Sequence, residues 1–181
     1  MRIVAGTAKG TRLAAVPAGT RPLLDRAREG LFSSLGESVE GARVLDLFAG
    51  TGAMGIEALS RGARTALFVD SSPGAVKAVN ENLRRTHLSD RATVRRQDAL
   101  RALRAALGAF DLVLLDPPYR TSDADLDALV AEIAGQGAVS ADATVVLTRP
   151  KGGYTPVIPI HWRLVRQLSY GDMLVCVFHT P

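Results

Sequence analysis

A chain of 181 residues, 47% of them hydrophobic, fits one domain of ordinary size with a full core and at most a small appendage. No stretch approaches the ~20 uninterrupted apolar residues of a membrane span, Met1-Arg2-Ile3-Val4-Ala5-Gly6 lacks a signal-peptide apolar segment, and a lone Cys176 excludes an internal disulfide, so a soluble cytoplasmic protein is expected. The net charge of +4 is concentrated: residues 1 to 28 hold six bases (Arg2, Lys9, Arg12, Arg21, Arg26, Arg28) and one acid, Asp25, against sixteen bases and seventeen acids elsewhere, the footprint of a polyanionic partner.

Arg2-Ile3-Val4-Ala5 and Arg12-Leu13-Ala14-Ala15-Val16 read as two short strands joined by Gly6-Thr7-Ala8-Lys9-Gly10, a hairpin with a basic tip. Pro22 suits the first turn of a helix whose apolar stripe is Leu24, Ala27, Leu31 and Leu35, with Asp25, Arg26, Glu29 and Ser33 opposite and Gly36 as C-cap. Residues 1 to 20 are thus expected to form an arm and 21 to 181 the domain. From residue 43 strands and helices alternate: strand 43 to 48, helix 52 to 61, strand 65 to 70, helix 72 to 87, strand 92 to 98, helix 99 to 107, strand 110 to 115, helix 123 to 135, strand 143 to 148. Alternation of this kind predicts a parallel sheet with helices on both faces. After Pro150 the pattern changes, and 162 to 168 and 173 to 178 read as an antiparallel hairpin finishing a seven-stranded sheet.

At the first of these strands an apolar run, a glycine-rich turn and an amphipathic run follow without a gap, from Val44 to Leu59. Gly50 and Gly52 permit a sharp turn and close backbone approach to a ligand, and Gly55 permits close packing of the helix on the strand. Gly50-Thr51-Gly52-Ala53-Met54-Gly55 followed by Asp70 matches the G-x-G-x-x-G and ribose acid of dinucleotide dehydrogenases. Asp46 argues otherwise, because a carboxylate just before the turn suits a cationic ligand better than a pyrophosphate. S-adenosylmethionine, with a sulfonium, an amine and no phosphate, meets that condition. Asp46 could instead be satisfied by loop N–H groups.

Asp116-Pro117-Pro118-Tyr119 follows the almost wholly apolar strand 110 to 115, which places it at the C-terminal edge of the sheet beside the glycine loop. Two prolines stiffen the loop and remove two donors, so Asp116 and the Pro117 carbonyl offer two acceptors and Tyr119 a stacking plane. An exocyclic amine on a base needs such partners, because accepted hydrogen bonds localise its lone pair for attack on a methyl group. A rigid turn ending a strand is the plainer alternative. His87, His161 and His179 lie far apart with no cysteine companions, so no metal is expected.

Asp46-Leu47-Phe48-Ala49-Gly50-Thr51-Gly52 and Asp116-Pro117-Pro118-Tyr119 resemble the cofactor and catalytic loops of class I S-adenosylmethionine-dependent amino-methyltransferases. Met1 to Gly6, Gly10-Thr11-Arg12-Leu13, and Thr20-Arg21-Pro22 with Asp25 to Phe32 narrow the resemblance to the bacterial enzymes that methylate guanine N2 in 16S ribosomal RNA of the small subunit. The resemblance implies a Rossmann-like fold and a cytoplasmic monomer acting on ribosomal RNA within the small subunit or an assembly intermediate. It implies that Asp46, Gly50 and Gly52 hold the methionine end of the cofactor, Asp70 the ribose, and Asp98 with Ala99 the adenine. Asp116 and Pro117 would take the target amine, Tyr119 would stack on the base, and Arg2, Lys9, Arg12 and Arg21 would bind RNA. The chain departs from the pattern at Thr148-Arg149-Pro150, where relatives tend to carry an acid. Methyltransferases for adenine N6 in DNA or for a protein glutamine use a similar loop, and a catalytically silent assembly factor could share the scaffold.

Overall fold

Strand and helix formation follow the hydrophobic periodicity closely. A computed structural model of the chain describes residues 1–14, 25–105, 108–135 and 137–181. Its elements are α1 (Asp25–Leu35), β1 (Arg43–Leu47), α2 (Ala53–Ser60), β2 (Thr65–Asp70), α3 (Pro73–Thr86), β3 (Ala92–Arg96), α4 (Ala99–Arg104), β4 (Phe110–Leu115), α5 (Asp123–Ala134), β5 (Val139–Pro150), β6 (Arg163–Tyr170) and β7 (Met173–His179). They form a seven-stranded sheet in the order β3-β2-β1-β4-β5-β7-β6. β1 to β5 are parallel, and β7 runs antiparallel between β5 and β6.

The apolar faces fall into two clusters. One packs Ala27 and Leu31 of α1, Ile56 and Leu59 of α2, and Val79 and Leu83 of α3 on Val44, Leu112, Leu114 and Val146. The other packs Ala102 and Leu103 of α4 and Leu129, Val130 and Ile133 of α5 on Leu45, Leu47, Val113, Leu115 and Val145. Helices therefore cover both faces, which is why β1 and β4 are apolar almost throughout. The chain reverses strand order between β1 and β4, and their C-terminal ends open the crevice where open α/β sheets bind ligands.

Two expectations need correction. β5 begins at Val139 rather than 143, although residues 139 to 142 lack strand alternation. Its start is held from outside, by Val139 pairing with Phe110 across an irregular register and by the Ser140 hydroxyl donating to Asp111 at 2.7 Å. In the expected N-terminal hairpin, the described part pairs as a single antiparallel bridge between Arg2 and Arg12, with Ile3 N donating to Thr11 O at 3.0 Å and Gly10 N to Ile3 O at 2.8 Å. Ala15, Val16, Pro22, Leu24 and the end of the helix expected to 107 lie outside the described residues.

The arm is fastened to the body more tightly than its charge pattern indicates. Ile3, Ala8 and Leu13 are buried in the same cluster as Leu31, Phe32 and Ile56, so the apolar surface of the body is not complete without them. Glu57 of α2, fully buried, accepts Val4 N at 2.8 Å and Ala5 N at 3.0 Å. The same carboxylate meets Arg28 Nε at 3.4 Å and Arg61 Nε at 2.8 Å. Arg28, also fully buried, donates to the Arg2 carbonyl and to Asp25 at 2.9 Å. Arg28 is therefore part of the interior, whereas Arg2, Lys9, Arg12 and Arg26 are exposed. A Cβ on Gly6 would lie 1.8 Å from the Ser60 carbonyl, so the arm approaches α2 as closely as backbone can. Among the described residues no helix is long and apolar enough to cross a membrane.

Candidate active site

The C-terminal ends of β1, β2 and β4 enclose a cavity of about 470 Å³, a volume that suits a cofactor-sized ligand. Its lining includes Asp46, Gly50, Thr51 and Met54 from the β1–α2 turn, Asp70 from β2, and Asp116, Pro117, Pro118 and Tyr119 from the loop after β4. Two motifs 64 positions apart by the numbers of Gly52 and Asp116 thus meet because β1 and β4 are neighbours in register, Leu47 beside Leu115.

The turn is held by the carboxylates around it. Gly52 is the N-cap of α2 in a left-handed conformation, φ 76°, and has no side chain to cap the helix. Asp46 supplies the missing acceptor by taking Gly55 N at 2.9 Å. Asp46 is thus a loop-satisfied carboxylate that also lines the cavity. Gly55 has no room for a side chain: a Cβ would sit 2.4 Å from Phe68 Cε1 and 2.9 Å from Asp46 Oδ2. Asp70 accepts Gly50 N at 2.9 Å and Ser72 N at 2.8 Å, so it both lines the cavity and fixes the loop. Phe48, at φ 61° without being glycine, marks backbone strain at the turn, the kind that clusters at functional sites.

Among the described residues three carboxylates and one base, Arg120, line the cavity. Burial pushes the Asp46 carboxyl well above the usual carboxylate range, and the charges of Asp116 and Asp70 add to the effect although the Gly55 N–H opposes it. Burial likewise pushes Asp116 up to about 6, with the Thr148 hydroxyl pulling the other way. A cationic ligand relieves this repulsion and a pyrophosphate would add to it. The donor set therefore fits a sulfonium and an amine, while the N-terminal turn of α2, with Ala53 and Met54 in the lining, suits a carboxylate. Among the described residues no three His, Cys, Asp or Glu side chains are grouped to hold a metal ion.

Asp98 and Ala99 are not in the cavity lining. Asp98 caps α4, accepting Arg101 N at 3.0 Å, and Gln97 N donates to the Asp70 carbonyl at 3.0 Å, which sets this pair beside the Asp70 end of the cavity. Tyr119 stands at the rim, 42% exposed. Arg2, Lys9 and Arg12 are exposed on the arm, away from the lining, and Arg21 lies outside the described residues. Sequence reasoning missed Met173, which enters the lining from the start of β7, and the partner of Asp116: the Thr148 hydroxyl donates to its Oδ1. Nothing local in the sequence marks Met173, whereas Thr148 stands at an edge where the chain departs from the resembled pattern.

Comparison with known proteins adds four findings. A family model described as conserved hypothetical protein 95 matches residues 1–179. YlbH of Bacillus subtilis (strain 168) is 37% identical over 182 residues, 98% of each chain. Ribosomal RNA small subunit methyltransferase D of Escherichia coli (strain K12) is 30% identical over 174 residues, 96% of this chain and 86% of that one. The solved structure of yhhF from Escherichia coli superposes with a TM-score of 0.88 at 29% identity, covering 99% of this chain and 97% of that one.

Proposed function

The chain belongs to the family described as conserved hypothetical protein 95, and on that premise we propose that it transfers a methyl group from S-adenosylmethionine to the exocyclic N2 amine of a guanine in 16S ribosomal RNA of the small subunit. The observation that carries this reading is the meeting of the Asp116 to Tyr119 loop with the Gly50 to Met54 turn in one carboxylate-lined cavity. The E. coli relative, named as a small-subunit ribosomal RNA methyltransferase, supports RNA as the substrate class.

S-adenosylmethionine supplies an electrophilic methyl on sulfur. Asp46, Gly50 and Gly52 hold its methionine end, Asp70 its ribose, and Asp98 with Ala99 its adenine. The target amine donates to Asp116 and to the Pro117 carbonyl, so its lone pair turns toward the methyl carbon, and Tyr119 stacks on the base. Bound there, the cofactor would supply a methyl whose S–C bond breaks, its electron pair staying with sulfur, as the amine nitrogen forms the N–C bond, and Asp116 or water would take the amine proton. No protein nucleophile takes part.

Incubating the protein with methyl-labelled S-adenosylmethionine and, separately, ribosomal RNA, small subunits, DNA and protein extract tests the reading. Label on a guanine N2 of 16S RNA is the expected result. Label on DNA or protein would assign one of the related activities, and cofactor binding without transfer would indicate a silent assembly factor.

Asp70→Ala is expected to weaken S-adenosylhomocysteine binding by ~1.5–3 kcal/mol, the range for hydrogen bonds to a charged group. The ribose hydroxyls lose their acceptor, and the Gly50 and Ser72 N–H groups lose theirs. Titration calorimetry measures this directly, and unchanged affinity would remove Asp70 from the site.

The arm is proposed to hold RNA phosphates through Arg2, Lys9 and Arg12, all exposed; Arg21, outside the described residues, belongs to the same proposal. Replacing those three exposed residues by Ala should flatten the slope of log affinity against log salt by about 2, at roughly 0.7 per contact on single-stranded RNA. An unchanged slope would take RNA binding away from the arm.

A further inference from the structure

The residue opposite Asp116 in the sheet has no role in the reading above. Thr148 lies near the C-terminal end of β5, one position beyond the pairing of Leu147 with Leu115, which sets it beside Asp116 across the β4–β5 boundary. It is 1% exposed, and its strand is paired on both sides, by β4 and by β7 through Thr148 and Val175. A β-branched side chain on a doubly paired strand has little rotational freedom, and its hydroxyl is spent on Asp116 Oδ1.

We infer that Thr148 is a positioning residue for methyl transfer: by donating to Oδ1 of Asp116 it locks the carboxylate in one orientation and leaves Oδ2 to take the target amine. The inference rests on the methyltransferase reading. A free carboxylate on a loop would rotate about its last torsion, which is broad, and a rotated acceptor no longer aims the amine lone pair at the methyl carbon. Thr148 also bears on the charge state. Among the described residues the ionisable side chains that line the cavity with Asp116 are Asp46 from β1, Asp70 from β2 and Arg120 from its own loop. Two of these three oppose a further negative charge, and burial opposes it as well. A hydroxyl that donates to the carboxylate favours the ionised form, the form able to accept both from Thr148 and from the amine.

Thr148→Val keeps the shape and removes the donor, and Thr148→Ser keeps the donor. In the full chain, Thr148→Val is expected to lower kcat for methyl transfer about tenfold, the effect of one hydrogen bond to a charged group. The acidic limb of the rate profile should move up by about one pH unit. S-adenosylhomocysteine affinity should stay within about twofold, because Asp46, Asp70 and the glycine turn are untouched. Thr148→Ser should restore both the rate and the limb. Carbon-13 carboxyl titration of Asp116 supplies a readout independent of turnover: its midpoint should rise in Thr148→Val and return in Thr148→Ser. An Asp116 midpoint and rate limb that ignore Thr148→Val, or a Ser variant that behaves like Val, would overturn the inference. If wild type transfers no methyl to RNA, the functional reading fails separately, and the titration still decides whether Thr148 governs Asp116.

Discussion

Asp116→Ala is expected to reduce methyl transfer at least ~100-fold, the scale set by removing one preorganised polar partner from a transition state, while S-adenosylhomocysteine binds as before. The carboxylate contacts the cavity but takes no part in holding the glycine turn, a task that belongs to Asp46 and Asp70. Loss in kcat with cofactor affinity retained is the signature of an interaction made only with the reacting group. Single-turnover rates and calorimetry on the same preparation measure the two quantities, and a variant that retains transfer would remove Asp116 from the mechanism. In the free protein the carboxyl titrates at about 6, so transfer should fall as pH drops through that value. With a sulfonium bound, the limb in kcat should lie lower, because a nearby positive charge favours the carboxylate.

The same shift has a consequence for stability. The folded-state value of about 6 lies above the ordinary 3.8, so the stabilisation contributed by the Asp116 proton is fully present below pH 3.8 and is lost as pH rises through about 6. Asp116→Asn removes the charge that the cavity disfavours. It should therefore gain ~1–3 kcal/mol over wild type at pH 8, following from about two pH units of displacement, with the gain shrinking toward pH 4. Thermal melts of both proteins across that range read out the difference. The cavity is thus tuned for function at some cost to the fold.

Glu57→Ala is expected to destabilise the fold by about 3–5 kcal/mol, as when one partner of a buried ion pair is removed. Arg28 would keep Asp25 and the Arg2 carbonyl but lose its buried counter-charge, and Val4 and Ala5 would lose the acceptor of their N–H groups. The melting temperature should fall by about 10 °C or more. The arm should also detach, which limited proteolysis within residues 1 to 14 would reveal. Melting unchanged within a degree would show that Glu57 is a bystander. This change separates the two readings of the arm: substituting its exposed bases tests RNA binding, and removing Glu57 tests its part in the fold.

Strand and helix order was legible in the chain because it depends on short-range periodicity: β2 and β4 begin and end where the apolar runs do. The turn was legible as well, since glycine takes the left-handed φ of 76° at Gly52 without strain and leaves out the Cβ that at Gly55 would sit 2.4 Å from Phe68. The loop from Asp116 to Tyr119 was located by its position after a buried strand. In each case neighbours in sequence carry the cause.

Three features had no local signature. Glu57 reads as one polar residue on an amphipathic helix, yet its partners are Val4, Ala5 and Arg28, between 29 and 53 positions away. Thr148 reads as a strand residue, and its meaning comes from Asp116, 32 positions earlier. Met173 reaches the cavity only because β7 inserts between β5 and β6. The sequence by itself determined the alternating elements, the glycine turn and the place of the loop after β4, because backbone sterics and side-chain period act within a few residues. The tertiary structure alone decided that the arm's N–H groups satisfy a buried glutamate and that Asp116 has a hydroxyl partner, because strand order sets which distant side chains meet, and a buried charge or acceptor is satisfied by whichever group the fold brings to it.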